Sequence, residues 1–294
     1  MNEKIRFFVF ISLSAVIGTT TFSSLDTHAD WEAVGFAGSY WGADDPCNLI
    51  GLGNWEEAMQ GFEDGMLDIG YTEAETRTWV ARDVEAKDFA DSSMVTWGAD
   101  NVDLEGTDWA DVLFFRGHGS HTCSSTYGYY SSFSMDNSTN TCTVNTKNHV
   151  RWAEGGANEE LNQFVAFACQ SGQYCVWEND GYHLANPNSG TYFAVWNAFH
   201  GNGAAKTNDG DRYYNYITTA WANGIGEDFV DMFTEIKTGA DNDLCAVSII
   251  FGIDEAKQDH IFTWGGFRDH DDPESTADSG FYSVPCDPAS GPAL

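Results

Sequence analysis

Residues 163–172 read QFVAFACQSG, an apolar run that stops on a cysteine and is followed by small polar residues. Continuous apolar runs of this length are typical of strands that are buried on both faces of a parallel sheet. Residues 111–116, DVLFFR, show the same pattern. The thiol of Cys169 is therefore predicted at the carboxyl end of a buried strand, as half of a disulfide, a buried filler or a nucleophile.

Helical patterns separate these apolar runs. Apolar residues recur on one helical face within residues 54–70, 212–223 and 227–237. Residues 192–199 and 244–252 fit either a strand or a helix. Short apolar strands that alternate with helices predict an α/β fold with a mostly parallel sheet and helices on both of its faces.

The first 29 residues have the pattern of a secretory signal peptide. Lys4 and Arg6 form a basic start, a short apolar run follows, and Ala29 supplies the small residue expected before a cleavage site. The apolar run is shorter than the about 20 residues that a membrane span needs. We therefore expect cleavage of residues 1–29 and a single domain, residues 30–294, that is secreted or periplasmic.

The charge balance excludes some partners. The chain carries 45 acidic and 13 basic residues, a formal net charge of −32. A surface of that sign repels nucleic acids and anionic membranes, so we expect neither as a partner. This charge fits either a cationic substrate or a surface that stays hydrated in salt. The second interpretation is favoured, because the acidic residues are spread along the whole chain.

The seven cysteines predict one free thiol. An exported chain tends to pair its thiols, so three disulfides and one unpaired cysteine are expected. Cys123 and Cys142 bracket a loop rich in Ser, Thr, Asn and Tyr, and are the pair that we expect first. Pairing Cys47 with Cys286 and Cys175 with Cys245 then leaves Cys169 free.

A histidine follows the first buried strand as Cys169 follows the second. His118 follows residues 111–116 after a single glycine, and the carboxyl ends of neighbouring parallel strands lie at one edge of an α/β sheet. A thiol nucleophile needs a base and a pair of donors for the oxyanion. We expect His118 to be that base, and the backbone N–H groups of Gly119 and Cys169 to be the donors.

Other roles for nearby residues stay open at this point. His121 is an orienting group or an alternative base. His200, in WNAFHGNG, is a second His-Gly after an apolar run, but no Ala-Cys strand follows it. The spacing of His118, His121 and Cys123 suggests zinc, yet further ligands are missing and Cys123 has an expected disulfide partner, so no metal site is predicted.

The two motifs together resemble the paired signature of the caspase, legumain, gingipain and clostripain clan of cysteine peptidases. FFRGHGS at 114–120 and FVAFACQSG at 164–172 match its strand-His-Gly and strand-Ala-Cys elements in order. ACQSG is similar to the legumain version, alanine-cysteine-x-serine-glycine. Residues 246–267 are also similar to a poorly characterised group of secreted caspase-like proteins. The resemblance implies a caspase-like three-layer α/β/α sandwich with His118 and Cys169 as catalytic residues.

One position departs from the pattern of this clan. Caspases and legumains have Gln or Glu two residues before the cysteine, where it helps to line the pocket for the residue before the cut, and this chain has Phe167. Phe167, Gln170, Ser171 and Ser120 are expected to contact the substrate, with an uncharged or basic residue before the cut. No cofactor is required, although the acidic run at 269–274 allows a calcium site as an alternative to a solvated surface.

The sequence therefore predicts a monomeric, exported cysteine endopeptidase that cleaves peptides or proteins through a His118/Cys169 dyad. The alternative is a caspase-fold protein that binds a peptide or a surface partner without cleaving it. An accessible thiol of low pKa is expected of the peptidase and is not needed by the binding protein.

Overall fold

The computed structural model describes residues 32–37, 47, 54–72, 76–80, 83–102, 106–135, 141–152, 161–179, 194–203, 208–237, 243–252, 254–265 and 278–286. The predicted signal peptide and the acidic run at 269–274 lie outside these residues. The described strands are β1 (Ala33–Ala37), β2 (Thr76–Val80), β3 (Val112–Arg116), β4 (His118–Ser124), β5 (Gly128–Ser134), β6 (Thr143–Asn145), β7 (Gln163–Phe167), β8 (Val195–His200), β9 (Cys245–Gly252) and β10 (Asp278–Ser283). The described helices are α1 (Trp55–Asp68), α2 (Tyr174–Glu178), α3 (Asp209–Asn223), α4 (Ile225–Phe233) and α5 (Glu255–Trp264), with a 3-10 helix at Ala86–Phe89.

Seven strands form one mostly parallel sheet in the order β10-β9-β8-β7-β3-β1-β2. The pairs β1–β2, β1–β3, β3–β7 and β7–β8 are parallel, whereas β9 runs antiparallel to both β8 and β10. The two apolar runs predicted as neighbouring parallel strands are β3 and β7, and Arg116 pairs with Phe167 at their carboxyl ends. That prediction is confirmed, as is the mostly parallel sheet.

The central strands are buried on both faces because each alternates its side chains between two cores. In β3, Leu113 and Phe115 point into one core, and Val112 and Phe114 point into the other. Every residue of β3 and β7 is buried. This double burial explains why both strands read as continuous apolar runs.

The two faces of the sheet carry different layers. Helices α1, α3 and α4 cover one face with residues such as Phe62, Tyr213 and Phe229. In the part of the chain that the structure describes, the other face is covered by the antiparallel sheet β4-β5-β6, the 3-10 helix and the short helix α2. The described part of this second face carries only short helices, because the chain leaves β3 directly into the β4–β5 hairpin, which packs Phe133 onto the sheet.

Two further expectations are settled by the elements themselves. Both stretches that fitted strand or helix are strands, β8 and β9, and all their residues are buried. The last predicted helix, 227–237, is displaced to Ile225–Phe233, because Glu235 instead forms a bridge with Leu244. Among the described residues, no helix combines the length and apolar character that a membrane span requires.

Three disulfides are present, and all three expected pairings are wrong. The bonds join Cys47 with Cys142, Cys123 with Cys175, and Cys245 with Cys286. Cys123 faces α2 instead of Cys142, because the β4–β5 hairpin lies beside that helix. All seven cysteines belong to the described residues, and Cys169 is the one outside a disulfide, as predicted.

Candidate active site

The predicted site lies where the chain changes direction in the sheet. The strand order places β1 between β2 and β3, so the chain extends the sheet first on one side of β1 and then on the other. Open α/β sheets bind ligands outside the carboxyl ends of their strands near such a reversal. The carboxyl ends of β3 and β7, the strands that precede His118 and Cys169, are next to it.

The His-Gly motif is in backbone contact with the cysteine. The Gly117 N–H donates to the carbonyl of Phe167 at 3.4 Å, which extends the β3–β7 ladder to the beginning of β4. A β-carbon at Gly119 would overlap the Cys169 carbonyl oxygen and would lie 2.9 Å from Cβ of Ala168. Only glycine permits this approach, so its absence of a side chain sets the separation of the two motifs.

Buried hydrogen bonds hold the segment that follows β7. Gln170 adopts a left-handed conformation with φ of 58°, and its N–H donates to the Gly201 carbonyl at 2.6 Å. The hydroxyl of Ser171 is fully buried; it donates to the Ala168 carbonyl at 2.7 Å and accepts from the Phe199 N–H at 3.3 Å. These contacts turn the chain sharply after the cysteine.

The β4–β5 hairpin also holds this segment, from the opposite side. The Ser131 hydroxyl on β5 donates to the carbonyls of Ser171, at 3.1 Å, and Gln170, at 3.3 Å. On β4, Nδ1 of His121 lies 3.0 Å from Oε1 of Gln170. The hairpin that carries His118 is thus fastened to the segment that carries Cys169 by side chains as well as by the Gly119 contact.

The surroundings of Cys169 raise the pKa of its thiol. It is half-buried and donates a hydrogen bond to the Gly203 carbonyl at 3.4 Å. Burial raises its pKa, while backbone hydrogen bonds and the positive charge of Arg116 act in the opposite direction. Because desolvation is the largest effect, the resting group is a thiol, and its proton must be removed when the sulfur reacts.

A buried ion pair lies on the helical side of β3. Arg116, 1% exposed, contacts the fully buried carboxylate of Asp209 at 3.1 Å, and its guanidinium stands over the ring of Phe167. Arg212 contacts the same carboxylate at 3.5 Å. A guanidinium that is paired in this way is not exposed for an acidic substrate side chain.

The predicted substrate-contacting residues occupy very different environments. The Phe167 ring is 3% exposed and packs in the core against Phe199, Tyr213 and Phe233. Its side chain has almost no surface with which to line a peptide pocket. Ser171 is likewise buried, whereas Ser120 is exposed and Gln170 is half-buried.

His200 differs from His118 and His121 in its surroundings. His200 ends β8 at the same edge, but it is fully buried, and its Nδ1 accepts a hydrogen bond from the Tyr174 N–H at 3.1 Å. His200 therefore caps the beginning of α2. His118 and His121 are both half-buried on β4, one on each side of the Gly119-Ser120 pair.

Fold and site together define a broad class, a mixed α/β protein with one free thiol at the carboxyl end of a central parallel strand. Comparison of the sequence with protein-family models and with curated proteins finds no match. The resemblance to the caspase–legumain clan therefore rests on the motifs around His118 and Cys169.

Several residues that shape the site carry no signal in the sequence. Ser131 lies in an unremarkable polar stretch, and Asp209 is one acid among many. Gly203 ends the stretch WNAFHGNG, in which only the His200-Gly201 pair suggested a role. Each becomes relevant only because the fold carries it from a distant part of the chain to Arg116 or to the segment 169–171.

Proposed function

We propose that this chain is an exported cysteine endopeptidase in which His118 and Cys169 form the catalytic dyad. The observation that carries the proposal is the backbone contact of Gly119 with Cys169, the only cysteine outside the three disulfides. It supports the idea that a thiol and a His-Gly motif act together at the carboxyl edge of a parallel sheet. Export is supported by the three disulfides, which are typical of oxidising compartments.

The protonated thiol requires a proton transfer during attack. His118 accepts the proton of Cys169 as the sulfur adds to the scissile carbonyl, and the N–H groups of Gly119 and Cys169 hold the resulting oxyanion. The imidazolium then gives its proton to the leaving amine, and the C–N bond breaks to leave a thioester. Water, with His118 as base, hydrolyses the thioester and restores the thiol.

The proposed substrate is a peptide with an uncharged or basic residue before the cut. The net charge of −32 favours cationic peptides over acidic ones. Arg116 is occupied by Asp209, which removes the arginine of the two motifs as a partner for an acidic side chain. No cofactor takes part in these steps, and the protein is proposed to act as a monomer.

The test is cleavage of a peptide library by the oxidised protein without its first 29 residues. Cys169→Ala is expected to abolish turnover, and His118→Ala to reduce it at least 100-fold, the scale of general base catalysis. His121→Ala is the matched control on the same strand and is expected to retain turnover. Loss with His121→Ala but not His118→Ala would assign the base to His121, and cleavage by Cys169→Ala would reject the nucleophile.

The alternative function is binding of a peptide without cleavage. It is favoured by one observation, the burial of the Cys169 thiol, which raises its pKa and keeps the sulfur protonated. A wild-type protein that binds library peptides but cleaves none of them would support this alternative.

A further inference from the structure

A second cysteine-containing cluster lies beside the proposed active site. The ligand atoms of His121, Cys123 and Cys175 all lie within 4.8 Å of one another. His121 and Cys123 come from β4, and Cys175 comes from α2. Each of the three residues is half-buried, so the cluster is within reach of solvent.

In the oxidised protein this cluster is closed by the Cys123–Cys175 disulfide. Reduction by a dithiol transfers two electrons and two protons to the bond, and leaves two thiols beside an imidazole. Zinc bonds of about 2.0–2.3 Å to nitrogen and sulfur place tetrahedral ligands roughly 3.5–4 Å apart. In the oxidised protein the two sulfurs are bonded and must move apart on reduction to reach this spacing, whereas the His121 nitrogen already lies within 4.8 Å of both.

The imidazole is held in the form that a metal needs. The amide oxygen of Gln170 can only accept a hydrogen bond, so the Nδ1 of His121 that lies 3.0 Å from it carries the proton. The lone pair is therefore on Nε2. Metal-bound histidines in proteins are commonly oriented in this way, by donating the second ring nitrogen to an oxygen.

We propose that reduction of Cys123–Cys175 creates a site for Zn²⁺ formed by His121, Cys123 and Cys175. Binding of the ion releases the two thiol protons and gives two thiolate bonds and one imidazole bond. Water fills the fourth position, because three protein ligands leave a tetrahedral ion one open site. Imidazole and thiolate ligands together favour Zn²⁺ over Ca²⁺ or Mg²⁺.

This site is independent of the proposed peptidase activity, although it is next to it. Gln170, which orients His121, follows Cys169 directly. The negative field of a chain with net charge −32 raises the local concentration of cations around the site. A bound ion would replace the disulfide as the link between β4 and α2.

The test uses Cys169→Ala protein, which has no free thiol until it is reduced. After reduction with a phosphine, Zn²⁺ is titrated against a chromophoric chelator, and Co²⁺ spectra report thiolate ligands. One ion per chain is expected after reduction and none before it. His121→Ala is expected to weaken binding at least 10-fold, while His118→Ala, the matched histidine on the same strand, leaves it unchanged.

Two double variants identify the thiols. Replacing Cys123 and Cys175 by serine is expected to abolish binding, and replacing Cys47 and Cys142 by serine to leave it intact. If reduction unfolds the chain, Cys123→His in the Cys169→Ala background tests the site without a reductant, since the other two disulfides persist. The proposal is overturned if the folded protein binds no ion, whether it has been reduced or carries Cys123→His. It is also overturned if His121→Ala binds Zn²⁺ as tightly as the protein that retains His121.

Discussion

Gly119 lies against Cys169 so closely that a β-carbon at position 119 would be 3.1 Å from the Cys169 backbone nitrogen and would overlap its carbonyl oxygen. The obstacle is backbone, which cannot rotate away as a side chain does. The contact fixes the distance between the β4 strand, which carries two histidines, and the segment that carries the free thiol. The geometry of the proposed active site depends on this single missing side chain.

Gly119→Ala is therefore expected to force the two segments apart and to destabilise the protein by about 1–3 kcal/mol, the cost of overpacking. The measurement is urea unfolding of the oxidised protein. Gly203→Ala is the matched control near the same thiol, because a β-carbon there would meet its nearest atom at 3.6 Å. Equal stability of the two variants would show that the Gly119 contact does not fix the distance between β4 and the segment that carries Cys169.

The Cys169 thiol is expected to react as a protonated group. Burial raises its pKa, so at neutral pH it holds its proton more firmly than a free cysteine does. The rate of alkylation in the oxidised protein, where no other thiol competes, should rise continuously with pH beyond the usual cysteine pKa of about 8.5. A rate that is already constant between pH 6 and pH 7 would contradict the raised pKa.

Arg116→Met is expected to move that alkylation profile to still higher pH. The positive charge of Arg116 lowers the pKa of the Cys169 thiol, so its removal leaves desolvation less opposed. Arg212→Met is the matched control, since Arg212 contacts the same Asp209 carboxylate and is not among the causes of the Cys169 shift. Loss of Arg116 also leaves a buried carboxylate without its main partner, at a cost of about 3–5 kcal/mol in unfolding free energy.

The left-handed backbone of Gln170 predicts an unusual order of stabilities. A side chain at φ of 58° costs about 1–2 kcal/mol relative to glycine, so Gln170→Gly should be more stable than Gln170→Ala. Both variants lose the His121 contact, which therefore cancels in the comparison. At Ser120, in the regular part of β4, the order should reverse by about 0.5–1 kcal/mol. Denaturant unfolding of the four proteins checks both orders.

Ser171→Ala is expected to lower the free energy of unfolding by about 1–3 kcal/mol, because the Phe199 N–H loses a buried acceptor. The turn that follows Cys169 should loosen, and the alkylation rate of the thiol should increase. Ser120→Ala, an exposed change beside the same site, should stay within about 0.5 kcal/mol of wild type. If Ser171→Ala is as stable as Ser120→Ala, the Ser171 hydroxyl does not stabilise the turn.

The buried strands, one helix and the cysteines differ in how much of their structure the sequence predicts. The buried strands β3 and β7 were predictable because double burial produces an unbroken apolar run, and helix α1 because one face of it is apolar. The odd number of cysteines predicted one free thiol, and its assignment to Cys169 proved right although the three pairings that left it over were wrong. The pairing of the other six did not follow, since any cysteine is chemically suited to any other and only the path of the chain brings two of them together.

The orientation of Phe167 within the site was also not predictable from the sequence. Its position two residues before Cys169 suggested a pocket, but the alternation of side chains along β7 turns it toward the helices, where it is buried. Ser131 on β5, Asp209 at the start of α3 and Gly203 after β8 reach the site from distant parts of the chain, and contacts between distant residues leave no local pattern in a sequence.

The sequence by itself determined which segments are buried strands and where His118 and Cys169 stand relative to them, because burial and side-chain alternation are local properties of the chain. Only the tertiary structure decided that Gly119 contacts Cys169, that Cys123 pairs with Cys175 beside His121, and that a small antiparallel sheet covers one face. Those relationships depend on how segments far apart in the chain pack, and packing is a property of the whole fold.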